Sequence, residues 1–219
     1  MPLFDAYIGL SSFLHIEIKE ETMNKRRNFK HSLIYTVVIA AFMPVLCAQA
    51  ETVRNGITTD QSYEEDKTFD FTPEAWGVVA ADGKTVNITS TGEGAPFSLT
   101  INAAQGRKEG QSVLAQHEGT LNFTNLRDLT IETNHNVLLV GEDGGAINAD
   151  VAGSISLSNS GNNAYVVHTA NASDSDSTIM VDLDAVGDIS LSSDLGGGIS
   201  SSGTVSLDAG DSISIDTMN

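Results

Sequence analysis

The chain has 219 residues, 40% hydrophobic but only 6% aromatic, with 20 Gly, 4 Pro and a formal net charge of −18. It is too apolar for a disordered chain and too poor in aromatics for an ordinary compact core. Arg127 is the last Lys or Arg, whereas 14 Asp and Glu occur from Asp128 to Asp216. Such a surface repels phosphate, so no nucleic-acid partner is expected and anionic lipid is a poor one; a solvated extracellular surface or weak Ca²⁺ binding would suit it.

The N-terminus reads as an export signal. Met23-Asn-Lys-Arg-Arg-Asn-Phe-Lys30 is a basic n-region, and an apolar run extends from Leu33 to Leu46. That run is short of the roughly 18 residues a membrane span needs. Ala48-Gln-Ala50 is a small-x-small exit, which places cleavage between Ala50 and Glu51 and assigns 23–50 as a Sec signal peptide. Cys47, the sole cysteine, is then removed, so the mature chain holds no disulfide. A lipoprotein reading through Cys47 is disfavoured by Leu46, where a small residue is required. Residues 1–22 precede the n-region and form an upstream extension. Met23 is the expected start, because Lys19-Glu20-Glu21 can be encoded by a purine-rich ribosome-binding run; an extended signal peptide is the alternative.

Residues 51–77 are polar and carry Tyr63, Phe69, Phe71 and Trp76. They read as an N-terminal cap with one or two strands, or, over Glu51 to Asp66, as a leader. From residue 78 to 219 short alternating strands separate Gly/Asn/Asp/Ser turns. Candidates are Thr85–Thr89, Phe97–Ile101, Gly119–Phe123, Leu126–Thr133, Asn136–Val140 and Ala146–Ala149. Ala152–Asn159, Ala164–His168, Ser177–Leu183, Ala185–Ser193, Gly198–Ile199, Gly203–Leu207 and Ile213–Ile215 follow. No segment after the signal keeps a 3.6-residue apolar period, so no helix is expected there.

One motif recurs. Leu129, Ile155, Ile189 and Ile213 hold equivalent places. The steps from Leu129 to Ile155 and from Ile189 to Ile213 are nearly equal, and the step from Ile155 to Ile189 is longer by nearly a strand and a turn. That longest step is expected to hold a longer turn at Asn171–Ser177. Inward positions are nearly all Ile, Leu and Val, and no proline follows Pro96. Stacked strands about 4.8 Å apart favour such aliphatic ladders and exclude proline. An all-β parallel stack of five or six coils over 85–216 is predicted; an antiparallel sandwich explains the alternation but not the recurrence.

A signal peptide, an acidic aromatic-bearing cap and Gly-(Asp/Ser)-Ile-Ser-Leu-Ser repeats resemble the start of a bacterial autotransporter passenger domain. The resemblance implies a right-handed parallel β-helix displayed at the cell surface or outer membrane, often as an adhesin for host or matrix ligands. Passengers precede a C-terminal outer-membrane barrel. Nothing here resembles one, so the chain is expected to be the N-terminal part of a longer reading frame.

No catalytic, cofactor or metal constellation stands out. Asp182 and Asp184 share a strand face, as carboxylates do in some β-helical polysaccharide lyases and hydrolases, but no Lys or Arg lies nearby in sequence. Asp174-Ser-Asp176 and Gly141–Gly145 lack the full spacing of a Ca²⁺ loop. His117, His135 and His168 are scattered, and Asn87, Asn122 and Asn171 only match a glycosylation sequon. The expectation is a non-enzymatic exported β-helix without cofactor; a β-helical polysaccharide-active enzyme is the alternative.

Overall fold

The alternation that predicts strands closes into a coil that turns through three sheets. The structure, a computed structural model, describes residues 50–218 apart from 74, 76, 92–95, 104–112, 142 and 171–176. The signal peptide through Gln49, Trp76 and most of the Asn171–Ser177 turn lie outside the described residues. No described residue is helical.

The first coil holds β1 (Ala50–Val53), an isolated bridge from Ile57 to Val78, and β2 (Gln61–Tyr63). Next come β3 (Lys67–Phe71), β4 (Val78–Ala80), β5 (Thr85–Ser90), then β6 (Leu99–Ala103), β7 (Val113–Ala115), β8 (Gly119–Leu126). The fourth and fifth coils are β9 (Leu129–Thr133), β10 (Leu138–Val140), β11 (Gly145–Val151), and β12 (Ile155–Asn159), β13 (Tyr165–Thr169), β14 (Ile179–Ala185). The sixth is β15 (Ile189–Ser193), β16 (Gly197–Ser201), β17 (Thr204–Ala209), and β18 (Ile213–Thr217) opens a seventh.

From β2 onward every third strand joins the same sheet, and β1 joins that of β3. Sheet A runs β1-β3-β6-β9-β12-β15-β18, sheet B β4-β7-β10-β13-β16 and sheet C β2-β5-β8-β11-β14-β17, with neighbours parallel. This is a parallel β-helix, as predicted. The equivalences read from sequence are its ladder: Leu129 pairs Ile155, which pairs Ile189, which pairs Ile213. The stack also reaches further back than the repeats. Residues 51–77, expected to carry one or two strands or a leader, hold β2, β3 and all of β1 but Ala50, already in coil order.

The coil count differs from the expectation. Residues 85–216 hold four complete coils plus β5 and most of β18. The length of chain between paired positions varies from coil to coil, because the turns differ while the rungs do not. The long step from Ile155 to Ile189 spends residues 170–178 between β13 and β14, where the next coil needs only Ser202 and Gly203.

The core is a set of columns. Phe69, Ile101, Ile131, Leu157 and Leu191 stack in sheet A, all buried. Val86, Leu121, Ile147 and Val181 stack in sheet C. Each such side chain contributes about 2–3 kcal/mol relative to exposure. Thr133, Asn159 and Ser193 form a buried polar column at the end of sheet A. Each turns the chain toward sheet B by accepting a nearby backbone N–H: His135 to Thr133, Gly161 to Asn159 and Gly196 to Ser193.

The repeated glycine has a spatial cause. A Cβ on Gly187 would stand 2.7 Å from Ser154 Oγ and 3.0 Å from the Gly153 carbonyl oxygen. The turn therefore lies against the turn beneath it.

The outward face of sheet C as candidate site

On sheet C, alternate side chains of β5, β8, β11 and β14 point outward and stack by register. Asp182 and Asp184 do share this exposed face. Asp184 stands between Asp150 and Asp208 in one column. Asp182 stands between Asn148 and Ser206 in the next. Sequence reading found the pair but not the carboxylates that register sets beside it.

A ladder of amides occupies the Asp182 column. Asn87 donates to Asp60 Oδ1 through its backbone N–H at 2.8 Å and Nδ2 at 3.1 Å. Asn122 Nδ2 donates to Asn87 Oδ1 at 2.9 Å, and Asn148 Nδ2 to Asn122 Oδ1 at 2.9 Å. The carboxylate at the start fixes the polarity, since it can only accept. At the far end the buried Asn148 Oδ1 accepts no hydrogen bond among the described residues, and its neighbour in register is Asp182, another acceptor. The Asn87 and Asn122 sequon amides are thus committed to the sheet.

Two residues along the same strands, Thr120, Gly145 and Ala146 join Glu118 and Thr178 around a shallow pocket of about 310 Å³. Its rim is a tight turn in which His117 and Glu118 both take left-handed φ, 48° and 59°. His117 Nδ1 pairs with Asp143 at 2.8 Å. The histidines do not converge: His117 and His135 occupy different turns, and His168 lies on β13, stacked on Tyr165 at 5.3 Å. Burial holds the His135 imidazole below its usual pKa. Among the described residues no three His, Cys, Asp or Glu are placed to hold a metal ion. Asp174 and Asp176 lie outside the described residues.

The turn before sheet A carries an order the sequence reading missed. The residues preceding β3, β6, β9, β12, β15 and β18 are Asp66, Ser98, Asp128, Ser154, Asp188 and Ser212, acid and hydroxyl in strict alternation. Ser98 N–H donates to Asp66 at 2.8 Å and Ser98 Oγ to Asp128 at 2.8 Å. Ser154 N–H donates to Asp128 at 3.0 Å, Asp188 N–H to Ser154 Oγ at 3.1 Å, and Ser212 Oγ to Asp188 at 2.5 Å. Burial pushes the Asp128 carboxyl up, but the bonds from Ser154, Ser98 and Arg127 outweigh it and hold it below the ordinary value. Arg127 forks onto both Asp66 oxygens at 3.0 Å. The signal was present in the Gly-(Asp/Ser) of the repeats; its alternation shows only when all six turns are aligned.

Of the cleavage residues, Ala48 lies outside the described residues, while Ala50 and Glu51 open β1 opposite Thr68 and Phe69. Comparison with known proteins finds no matching family model, no matching curated protein and no matching solved structure.

Proposed function

We propose that the chain is an exported, non-enzymatic β-helix, the N-terminal part of an autotransporter-like adhesin that presents its turns to a host or matrix ligand at the cell surface. One observation carries this reading: the rung chemistry is constant while the turns are not. Ile155, Leu157, Ile189 and Leu191 repeat position by position, whereas the β13–β14 turn spans 170–178 and its counterpart in the next coil is only Ser202 and Gly203. A scaffold held fixed beside connections that vary is how recognition loops are carried.

The test is replacement of residues 170–178 by the Ser202-Gly203 turn and, separately, removal of 105–110, in cells displaying the chain. Adhesion to matrix-coated surfaces should fall in at least one variant while the far-UV circular dichroism keeps its β signature. Undiminished adhesion in both would overturn the reading. The polysaccharide-active alternative draws on Asp150, Asp182, Asp184 and Asp208 sharing one face. Release of reducing ends or unsaturated products from a polysaccharide, abolished by Asp182→Asn or Asp184→Asn, would establish it instead.

A further inference from the structure

Asn55-Gly56 is the one Asn-Gly pair in the sequence. It stands in the turn between β1 and the Ile57–Val78 bridge, with Asn55 exposed and Gly56 at φ 83°. Side chains resist that backbone conformation, so the fold itself keeps the least hindered residue after Asn55. The Gly56 N–H has no hydrogen-bond partner among the described residues and is left to water. The two Asp-Gly pairs differ. Gly83 N–H donates to the His117 carbonyl at 2.8 Å, and Gly144 N–H to that of Gly141 at 3.2 Å. Asn125 and Asn163 are exposed as well, but buried Leu126 and Ala164 follow them and hinder the next nitrogen.

We propose that Asn55 is a site of self-modification: it deamidates through a succinimide formed with Gly56, and the isoaspartate that results frees Ile57 from sheet B. The Gly56 amide nitrogen, deprotonated by hydroxide, attacks Asn55 Cγ. A C–N bond forms, the Cγ–Nδ2 bond breaks, and the side-chain nitrogen leaves as ammonia after taking a proton from water. Water then opens the cyclic imide. Breaking the Cγ–N bond restores the ordinary chain with aspartate at position 55. Breaking the bond from nitrogen to the α-carbonyl carbon reroutes the chain through Cβ as isoaspartate. In sum one water is consumed and one ammonia released, with no oxidant or cofactor. The turn has little room for the extra backbone carbon. Only Arg54, Asn55 and Gly56 separate Val53 from Ile57, and both of those side chains are buried. The Val53 carbonyl accepts from Thr72 N–H at 3.0 Å. Ile57 N–H donates to the Gly77 carbonyl, and the Ile57 carbonyl accepts from Val79 N–H, both at 2.8 Å. Lengthening the chain between these fixed points pulls on the two Ile57 bonds.

The test ages the full chain at neutral pH and in mild base, and compares it with fresh protein by peptide mapping, isoaspartyl methyltransferase labelling and hydrogen exchange. The peptide holding Asn55 should show the amide-to-acid mass gain, at a rate that rises with hydroxide, and position 55 should take the methyl label. Asn125 and Asn163 should keep their amides over the same period. Exchange at the Ile57 and Val79 amides should quicken in the aged chain. Asn55→Gln, which closes a larger ring far more slowly, should lose the mass gain and keep slow exchange after ageing. Fresh Asn55→Asp, which carries the charge without the rerouted backbone, should also keep slow exchange. The proposal is overturned if Asn55 keeps its amide in the folded chain, or loses it no faster than Asn125 and Asn163 lose theirs. Its structural half is overturned if isoaspartate accumulates while exchange at Ile57 and Val79 stays as in Asn55→Gln, or if fresh Asn55→Asp already exchanges as fast as the aged chain.

Discussion

Asp182→Asn should stabilise the protein by satisfying a buried acceptor, whereas Asp184→Asn should stabilise it only by removing charge. In the first variant the new Nδ2 lies one strand spacing from Asn148 Oδ1 and extends the amide ladder by a rung. A net hydrogen bond is worth about 1 kcal/mol, somewhat more where it rescues an unsatisfied buried group. Asp182 has Asn148 and Ser206 beside it, so little direct like-charge repulsion is relieved. Asp184 has carboxylates on both sides, Asp150 and Asp208, each contact costing about 0.2–1 kcal/mol. The two effects separate by ionic strength, because screening shortens from about 30 Å at 0.01 M to about 3 Å at 1 M. Urea denaturation, which adds no ions, measures both. At low salt both variants should gain about 1 kcal/mol, roughly 2–4 °C in Tm for a chain of this size. At about 1 M NaCl the Asp184→Asn gain should vanish and the Asp182→Asn gain should persist. A parallel loss in both, or destabilisation by Asp182→Asn, would refute the ladder argument.

Further expectations follow from the same columns. Ile131→Ala, at 0% exposure, should cost about 3 kcal/mol or more, and Ile215→Ala, at 52%, about 1 kcal/mol or less; equal costs would mean that the end of the stack is covered in solution. Gly187→Ala should destabilise by about 1–3 kcal/mol, read as a lowered denaturant midpoint, because its methyl meets the Ser154 and Gly153 turn. Burial and then the Glu51 charge raise the Tyr63 hydroxyl from 10.0 to about 12. The folded state therefore holds its proton more tightly, and its stabilising contribution is full below pH 10 and lost as pH rises toward 12. Tyr63→Phe should remove that part of the alkaline destabilisation in urea titrations between about pH 9 and about pH 12.

Sheet A could be read from sequence because its repeating rungs, β9, β12, β15 and β18, combine strict alternation with one constant length and a recurring preceding turn. Leu129, Ile155, Ile189 and Ile213 align on those marks alone. Sheet B could be read only in part: β10, β13 and β16 overlap the candidates Asn136–Val140, Ala164–His168 and Gly198–Ile199, whereas β4 and β7 have no counterpart among the candidates, for a physical reason. The strands β4 and β7 are too short to display a period, and β7 buries Val113, Leu114 and Ala115 in succession. The carboxylates around Asp184 were hidden because their proximity is set by register between strands of successive coils, not by local spacing. The Lys67–Glu51 pair was hidden because both look like ordinary surface charges until the ladder places them over Leu99 and Phe69.

The alternation of acid and hydroxyl before sheet A gives the molecule a parity. A lineage that gained or lost one coil from its middle would set like on like: Asp128 would meet Asp188 if the coil carrying Ser154 were deleted, and Ser154 would meet Ser212 if the coil carrying Asp188 were. Loss of two neighbouring coils restores the pairing. The inheritable unit of length in such a chain is then the double coil, and variants differing by an odd number of turns should carry a compensating Asp/Ser exchange at the junction.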